Sequence, residues 1–363
     1  MPPMPLALLG AVDPLLRDAV ALAAVLEPGT VVVRHDLLDD GAEGRIRRLV
    51  SDLTGVVEDD EVPLEHACVS CAVREDAIPT LRRLAATGRW RQAVLALPVS
   101  AETLPVARTL SPHTRRGGEL PEFRLSSVVG AVDLASFADD VLGDDLLHER
   151  GLGLGRDDRR AVGEALVTLV EHADVVVTAD ESGSAAAGSL LDHLRAADGT
   201  RVDGSHRLDA SALFARRHDP EVGEARTDLD RAPTRLGASP GDVATVRLVS
   251  ERAFHPDRLY RRIEELGARP VRSRGVFWVP SRPESVVGWD GCGGQLSVGE
   301  LGEWDGDAPV TDLTFTGRER DLAGLVEVFQ DVLLTDAEAA AGLAPWLGRA
   351  DVLAPWLGER AAR

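Results

Sequence analysis

The sequence predicts an α/β protein in which a parallel sheet carries helices on both faces and is followed by a smaller α+β domain. Two observations predict this. Short runs of aliphatic and β-branched residues, such as Thr30 to Arg34 (TVVVR) and Asp174 to Thr178, alternate with helical stretches, as strands buried on both faces of a parallel sheet do. Beyond Val243 the pattern changes to strands separated by hairpin-length gaps with two helices among them, the mark of an α+β layer. With 363 residues, 44% of them hydrophobic, the chain is long enough for two domains with a core each.

The first strand is Leu6-Ala7-Leu8-Leu9. After Gly10, Asp13 is a good N-cap and Pro14 suits the first position of a helix running to about Leu26. Thr30 to Arg34 is the next strand. A helix over Asp76 to Ala86 leads into the strand Ala93 to Leu97, and strands at Ser127 to Val132 and Asp174 to Thr178 flank a helix over Arg159 to His172. From Phe214 to Asp242 the composition turns to Arg, Asp, Pro and Gly with little periodicity, which places a first domain at 1–213 and a linker at 214–242. The second domain, 243–337, has strands at Val243 to Val249, Val271 to Val279, Gln295 to Val298 and Asp312 to Thr316, and helices at Pro256 to Leu266 and Asp321 to Leu334. A tail, 338–363, repeats LAPWLG at Leu343 to Gly348 and Leu353 to Gly358, with a period too short for a solenoid.

Charge and composition exclude several functions. The 60 acidic residues outnumber 40 basic ones, all arginine, for a formal charge of -20; such a field repels phosphate backbones, so non-specific nucleic-acid binding is not expected. No stretch approaches the roughly 20 apolar residues of a membrane helix, and the start lacks the basic region of a signal peptide. A cytoplasmic protein is expected. Cys68, Cys71 and Cys292 are too few for a disulfide framework, leaving metal binding or burial. The chain has no lysine and no asparagine. A high-GC codon bias explains part of that but does not restore the chemistry.

Two stretches together carry a resemblance. HACVSCAVREDAIPTLRRL, His66 to Leu84, resembles the G-C-x-C-C-x-x-R segment of the CobW family of P-loop GTPases and metallochaperones, and RAFHPDRLYRRIEEL with VRSRGVFWVPSRPESVVGW, Arg252 to Trp289, resembles that family's C-terminal domain. The intervening strand order fits too, so the resemblance spans nearly the whole chain. It implies a P-loop NTPase-like first domain and a CobW-like second one. Within the family the C-V-S-C, F-H-P and R-x-R-G-x-x-W blocks resemble the actinobacterial branch named for recruiting a ribosome hibernation factor. That likeness implies a zinc-responsive helper with two partners, a hibernation factor and the small ribosomal subunit.

A working phosphate loop, G-x-x-x-x-G-K-[ST], uses glycines for close approach of backbone N–H groups, lysine for charge and a hydroxyl for magnesium. Counted from Gly10, this chain has Leu15 for the second glycine, Leu16 for the lysine and Arg17 for the hydroxyl residue, with Asp13 at the mouth. Helix N-terminal amides still favour anions and Arg17 could reach one; a plain strand-to-helix turn is the alternative. The strand that should end in an acidic residue runs into Leu97-Pro98-Val99-Ser100, with no acid before Glu102, and the base-reading Asn-Lys-x-Asp is replaced by Thr178-Ala179-Asp180-Glu181. GTP binding is therefore not expected, and a scaffold without normal GTPase activity is. The alternative is a zinc metallochaperone that keeps weak nucleotide binding or hydrolysis.

Cys68 and Cys71, at C-x-x-C spacing, can give two thiolates to a tetrahedral zinc, and the resemblance adds weight because its C-x-C-C element holds the same outer positions. Ser70 stands where the middle cysteine would be. His66 is the nearest third donor, with Glu65 and His35 as further candidates; small buried cysteines or redox chemistry are the other readings. In the second domain Arg272 and Arg274 are candidates for a partner-binding face or are strand residues with solvated charges, and Trp346 and Trp356 in the repeat either dock a partner or fold onto their own domain. His255, before Pro256, has the place of a cap rather than a catalytic base.

Overall fold

The computed structural model describes residues 2–38, 44–66, 68–155, 157–180, 183–346, 349 and 351–358. It divides into two units, 1–137 with 145–187 and 195–227, and 138–144 with 188–194 and 228–363. The division at 227/228 falls inside the stretch expected as a linker.

The first unit is built on eight strands, β1 (Met4–Ala11), β2 (Thr30–Leu38), β3 (Gly44–Asp52), β4 (Gly55–Leu64), β5 (Gln92–Ala96), β6 (Phe123–Val132), β7 (Val175–Thr178) and β8 (Thr200–Val202), in the order β4-β3-β2-β5-β1-β6-β7-β8. From β2 to β8 every pairing is parallel. The expected parallel sheet is thus present, extended at one edge by an antiparallel hairpin, β3 and β4. Alternation within each central strand supplies both faces. Leu6, Leu8, Val31, Val33 and Leu95 share one core with Leu81 and Leu110 of the helices Ile78–Ala86 and Thr103–His113. Ala7, Leu9, Val32 and Val94 share the other with Leu16, Val20 and Ala24 of the helix Pro14–Val25 and with Leu213 and Phe214. A period of two through buried strands has this result.

The second unit's sheet has six strands, β9 (Gly237–Ser239), β10 (Val243–Ser250), β11 (Val271–Val279), β12 (Arg282–Cys292), β13 (Gln295–Glu303) and β14 (Thr311–Arg318), in the order β13-β12-β11-β14-β10-β9, and all its pairings are antiparallel. The helices Pro256–Gly267 and Leu325–Val332 pack with it around Phe254, Phe277, Trp289, Phe315 and Phe329. The helix expected from Asp321 to Leu334 is broken, because Gly324 takes the left-handed conformation at φ 75 between Glu319–Leu322 and Leu325–Val332.

The stretch 214–242 is not a bare tether. It contains the helix Pro220–Ala225, capped by Asp219, strand β9, and buried Phe214, His218 and Arg226. Its polar residues serve as caps and buried pairs. Among the described residues no helix is long and apolar enough to cross a membrane.

Candidate functional site

The turn after β1 is filled by the chain's own charges. Asp13 caps the helix Pro14–Val25, its Oδ1 accepting the Leu16 amide at 2.7 Å, so a carboxylate already occupies the anion-attracting helix end. Arg17 is turned inward and is 3% exposed. Its Nη1 donates to the carbonyls of Leu97 at 3.0 Å and His35 at 3.4 Å and pairs with Asp36 at 2.8 Å, while Nε donates to Asp18 at 3.1 Å. Those partners offset the desolvation of a buried guanidinium. Arg17 therefore lies at the ends of β2 and β5 and does not face an anion at the mouth of the loop. Leu15 is 80% exposed and Leu16 is buried. Gly10 has a packing reason of its own: a Cβ there would lie 2.7 Å from Thr103 Cγ2 and 2.9 Å from Leu169 Cδ1.

Past β5 the chain turns at Ser100, whose φ is 63. Ser100 N donates to Ala11 O at 2.9 Å. Arg160 then gathers this corner, donating to Ser100 O at 3.1 Å, Glu102 at 3.0 Å and Asp158 at 2.8 Å. Burial pushes the Asp158 carboxyl up, but the Arg160 hydrogen bonds and charge and the Leu154 amide outweigh it and bring it down to about 2. At the position expected to read a base, Thr178 Oγ1 accepts Gly204 N at 2.9 Å and donates to Asp180 O at 2.8 Å; Glu181 lies outside the described residues.

The cysteine pair sits on a tight turn. Cys68 caps the short helix Val69–Cys71, its Sγ accepting the Cys71 amide at 3.3 Å. His66 Nδ1 is 3.8 Å from Cys71 Sγ, and Arg74 reaches the same sulfur at 4.0 Å. The helix continues as a π-helical segment, Ala72–Ala77, before Ile78–Ala86; Pro79 has no N–H to continue the α ladder. The hydrogen bond with Cys68, burial and the hydrogen bond with Glu75 raise the Cys71 thiol above its ordinary value, so it holds its proton at neutral pH. His35 is committed elsewhere: fully buried, it meets Asp76 at 2.8 Å, and Arg48 pairs with the same carboxylate. Cys68, Cys71 and His66 thus lie close together, and His35 does not join them. Two sulfurs and an imidazole suit a borderline-soft ion, yet among the described residues no three His, Cys, Asp or Glu side chains are placed to hold a metal. Closing such a site needs movement of the turn and ligands from outside the trio. Cys292 is buried and donates to Val141 O at 3.2 Å.

A cavity of about 340 Å³ joins these pieces, lined by Cys68, Ser70, Glu102, Asp158 and Arg160 with an apolar floor that includes Val73 and Val106. Nothing in the order of residues puts Asp158 or Arg160 beside Cys68. Their spacing along the chain carries no signal, because only the packing of the loop 145–161 brings them there.

The second-unit candidates do not form an open face. Arg272 and Arg274 are 4% and 6% exposed. Arg272 pairs with Asp290 and donates to Gly291 O at 3.3 Å, and Arg274 donates to the carbonyls of Asp228 at 3.2 Å and Leu229 at 3.3 Å. The expectation of solvated strand charges fails equally, since the alternate residues of β11 are buried on both faces. The described residues of the tail fold onto their own unit. Trp346 is buried edge-on to His255 at 5.0 Å, Trp356 stacks on Tyr260 at 5.5 Å, and Asp351 meets buried Arg282 at 2.5 Å. Leu347 and Gly348 lie outside the described residues.

Residues 243–333 match the family model described as the cobalamin synthesis protein cobW C-terminal domain. Over 320 residues the chain is 29% identical to a zinc chaperone of Mycobacterium tuberculosis, covering 84% of this chain and 75% of that protein. It is 23% identical over 265 residues to the zinc-regulated GTPase metalloprotein activator 1 of Dictyostelium discoideum, covering 68% of this chain and 55% of that one. The zinc-bound YjiA GTPase of E. coli aligns at 13% identity with a TM-score of 0.36, over 92% of this chain and 99% of that one. The family match is confined to residues 243–333, while the likeness to the two relatives runs over more of the chain.

Proposed function

We propose that this chain is a zinc-linked CobW-type scaffold without normal GTPase activity, and that it recruits a ribosome hibernation factor toward the small ribosomal subunit. The observation that carries the first part is the self-filled loop. Asp13 lies on the helix amides and Arg17 on the strand-end carbonyls, while no lysine exists to neutralise a phosphate. A triphosphate would have to displace a capping carboxylate and bind with neither the lysine nor the hydroxyl its charge and magnesium require. Zinc enters as cargo or signal. Cys68 and Cys71 are the thiols to hold it and His66 the imidazole beside them, with weaker affinity than a three-cysteine site, and the name of the mycobacterial relative favours the same metal. The recruitment reading rests on resemblance. The -20 charge favours a ribosome contact through a protein partner or a local arginine patch.

The name of the Dictyostelium relative favours a second reading, a zinc metallochaperone coupled to nucleotide turnover. Isothermal titration with GTP and magnesium separates the two: no binding is expected, and micromolar affinity sinks the scaffold. For the metal, zinc content after reducing purification should fall in a Cys68→Ala, Cys71→Ala variant; equal content in both proteins removes the pair from the site. For recruitment, a tagged chain drawn from zinc-starved cells should enrich a ribosome-associated protein, and failure to enrich any counts against that part.

A further inference from the structure

The first helix, Pro14–Val25, buries one side against the sheet through Leu16, Val20, Ala21 and Ala24. Its opposite side is apolar too. Leu15 is 80% exposed, Leu22 62% and Leu26, the C-cap, 61%, with exposed Ala19 between them. The spacing 15, 19, 22, 26 is the four-three-four step of a heptad seam, and at 100° per residue the four side chains fall within an arc of about 60°. Nothing in the fold of the first unit requires leucine at these places. Leu15, moreover, stands where a working phosphate loop has glycine, so the replacement that removes phosphate chemistry adds the first member of the seam.

We propose that this seam is a docking surface for an amphipathic partner helix whose apolar stripe is flanked by arginine or lysine. The four-three-four spacing specifies a helix, since knobs at these steps fit a facing helix, and Ala19 lets its backbone approach. The charge specifies the flanks. Asp13 and Glu27 at the two helix ends are acidic, and Asp18 beside the seam is paired with Arg17, 3% exposed, and with Arg34, 21% exposed, so the charge left over along the helix is acidic. Arg207, on the neighbouring turn Ser205–Arg207, already has a partner of its own. A second copy of this chain would bring the same acidic flanks and another -20 charge to the interface, so a basic helix is the complementary occupant. This surface deepens the recruitment reading and is independent of the zinc site.

The test uses a fluorescein-labelled peptide of three heptads with alanine and leucine at the core positions and arginine at the flanking ones, titrated into the full chain and followed by anisotropy. Micromolar binding is expected. It should weaken at least tenfold in a Leu15→Glu, Leu22→Glu variant and at least tenfold for the peptide with glutamate flanks, and an equally charged peptide with serine for leucine should not bind. Equal binding to variant and wild type, or to the serine peptide, means bulk charge attraction and overturns the proposal. So does a wild-type dimer in sedimentation that the variant abolishes, because a second copy then covers the seam. The thermal melt should not change in the variant, as both residues are exposed; a Leu26→Glu variant repeats the measurement if it does. Zinc content measured on the same variant should equal wild type, so loss of peptide binding and loss of zinc are read separately.

Discussion

Arg17 shows how one residue can decide between a nucleotide site and a closed turn. Its guanidinium satisfies the Leu97 and His35 carbonyls and faces Asp36 and Asp18. An Arg17→Met chain keeps the stem but strands those acceptors, and it should lose about 2 to 3 kcal/mol in urea unfolding. A loss under 0.5 kcal/mol would mean the inward pairing matters little. Asp13→Ala removes a cap and should cost about 1 kcal/mol, with Asp13→Ser restoring most of it; neither change should create GTP binding. The absent lysine and the substitution at Leu15 were legible in the sequence, because a motif has fixed spacing. The direction of Arg17 was not, because residue type does not say whether a cation faces a ligand or the strand ends behind it.

At the scale of elements, the stretch 214–242 is the instructive case. Its arginines, aspartates and histidines have a linker's composition, yet His218 Nδ1 meets Asp174 at 2.8 Å and Arg226 donates to Asp174 at 2.8 Å and to Asp198 at 2.5 Å. Polar residues that pair across long separations leave no periodicity to read. The β3–β4 hairpin leaves no apolar signal for a related reason. Arg45 pairs with Glu61 and Arg47 with Asp59 across its exposed face, so the strands carry charge in place of an apolar run. The His218 pairing has a pH consequence. Beside it, His172 is fully buried with Nδ1 on Thr103 Oγ1 at 2.8 Å, and burial, then the charges of His218 and Arg226, outweigh Asp174 and hold it at about 3. The folded value lies below the unfolded one, so the unfolded chain takes up the proton first. This contribution is complete above about pH 6.5 and is lost as pH falls toward 3. Asp174, held at about 2 against the desolvation of its site by His218, the Val128 amide and Arg226, adds a loss below about pH 4. Unfolding free energy between pH 6 and 4 should fall by about 1.4 kcal/mol per pH unit for one such histidine. A His172→Gln chain should flatten that slope, and an unchanged slope would assign it to other groups.

For the whole molecule, the parallel-sheet architecture and the α+β second domain were legible because buried strands and amphipathic helices must repeat at fixed periods. The tail was not, since two identical hexapeptides give no hint that they meet different surroundings. Trp346 is buried against His255 while Trp356 keeps 38% exposure on Tyr260. What anchors the segment between them is Asp351 on Arg282, side chains 7% and 4% exposed, with Leu353 fully buried next to it. Trp346 and Leu353 are therefore part of the second unit's core clusters. Removing only the acid leaves a buried guanidinium with the carbonyls of Leu357 and Gly358 and only the edge of Glu300, at 3.5 Å, for a counter-charge. Asp351→Ala should therefore destabilise the chain by about 3 kcal/mol. Replacing both partners together, Arg282→Met with Asp351→Leu, should cost less, about 1 to 2 kcal/mol, since no charge is then left unpaired and only the Leu357 and Gly358 carbonyls and the Leu353 amide lose a partner. A double-mutant cycle by urea unfolding reads the difference. If both single and double changes cost the same, the pair does not hold the tail. If the single change costs nothing, Leu353 and Trp346 keep the segment in place without it.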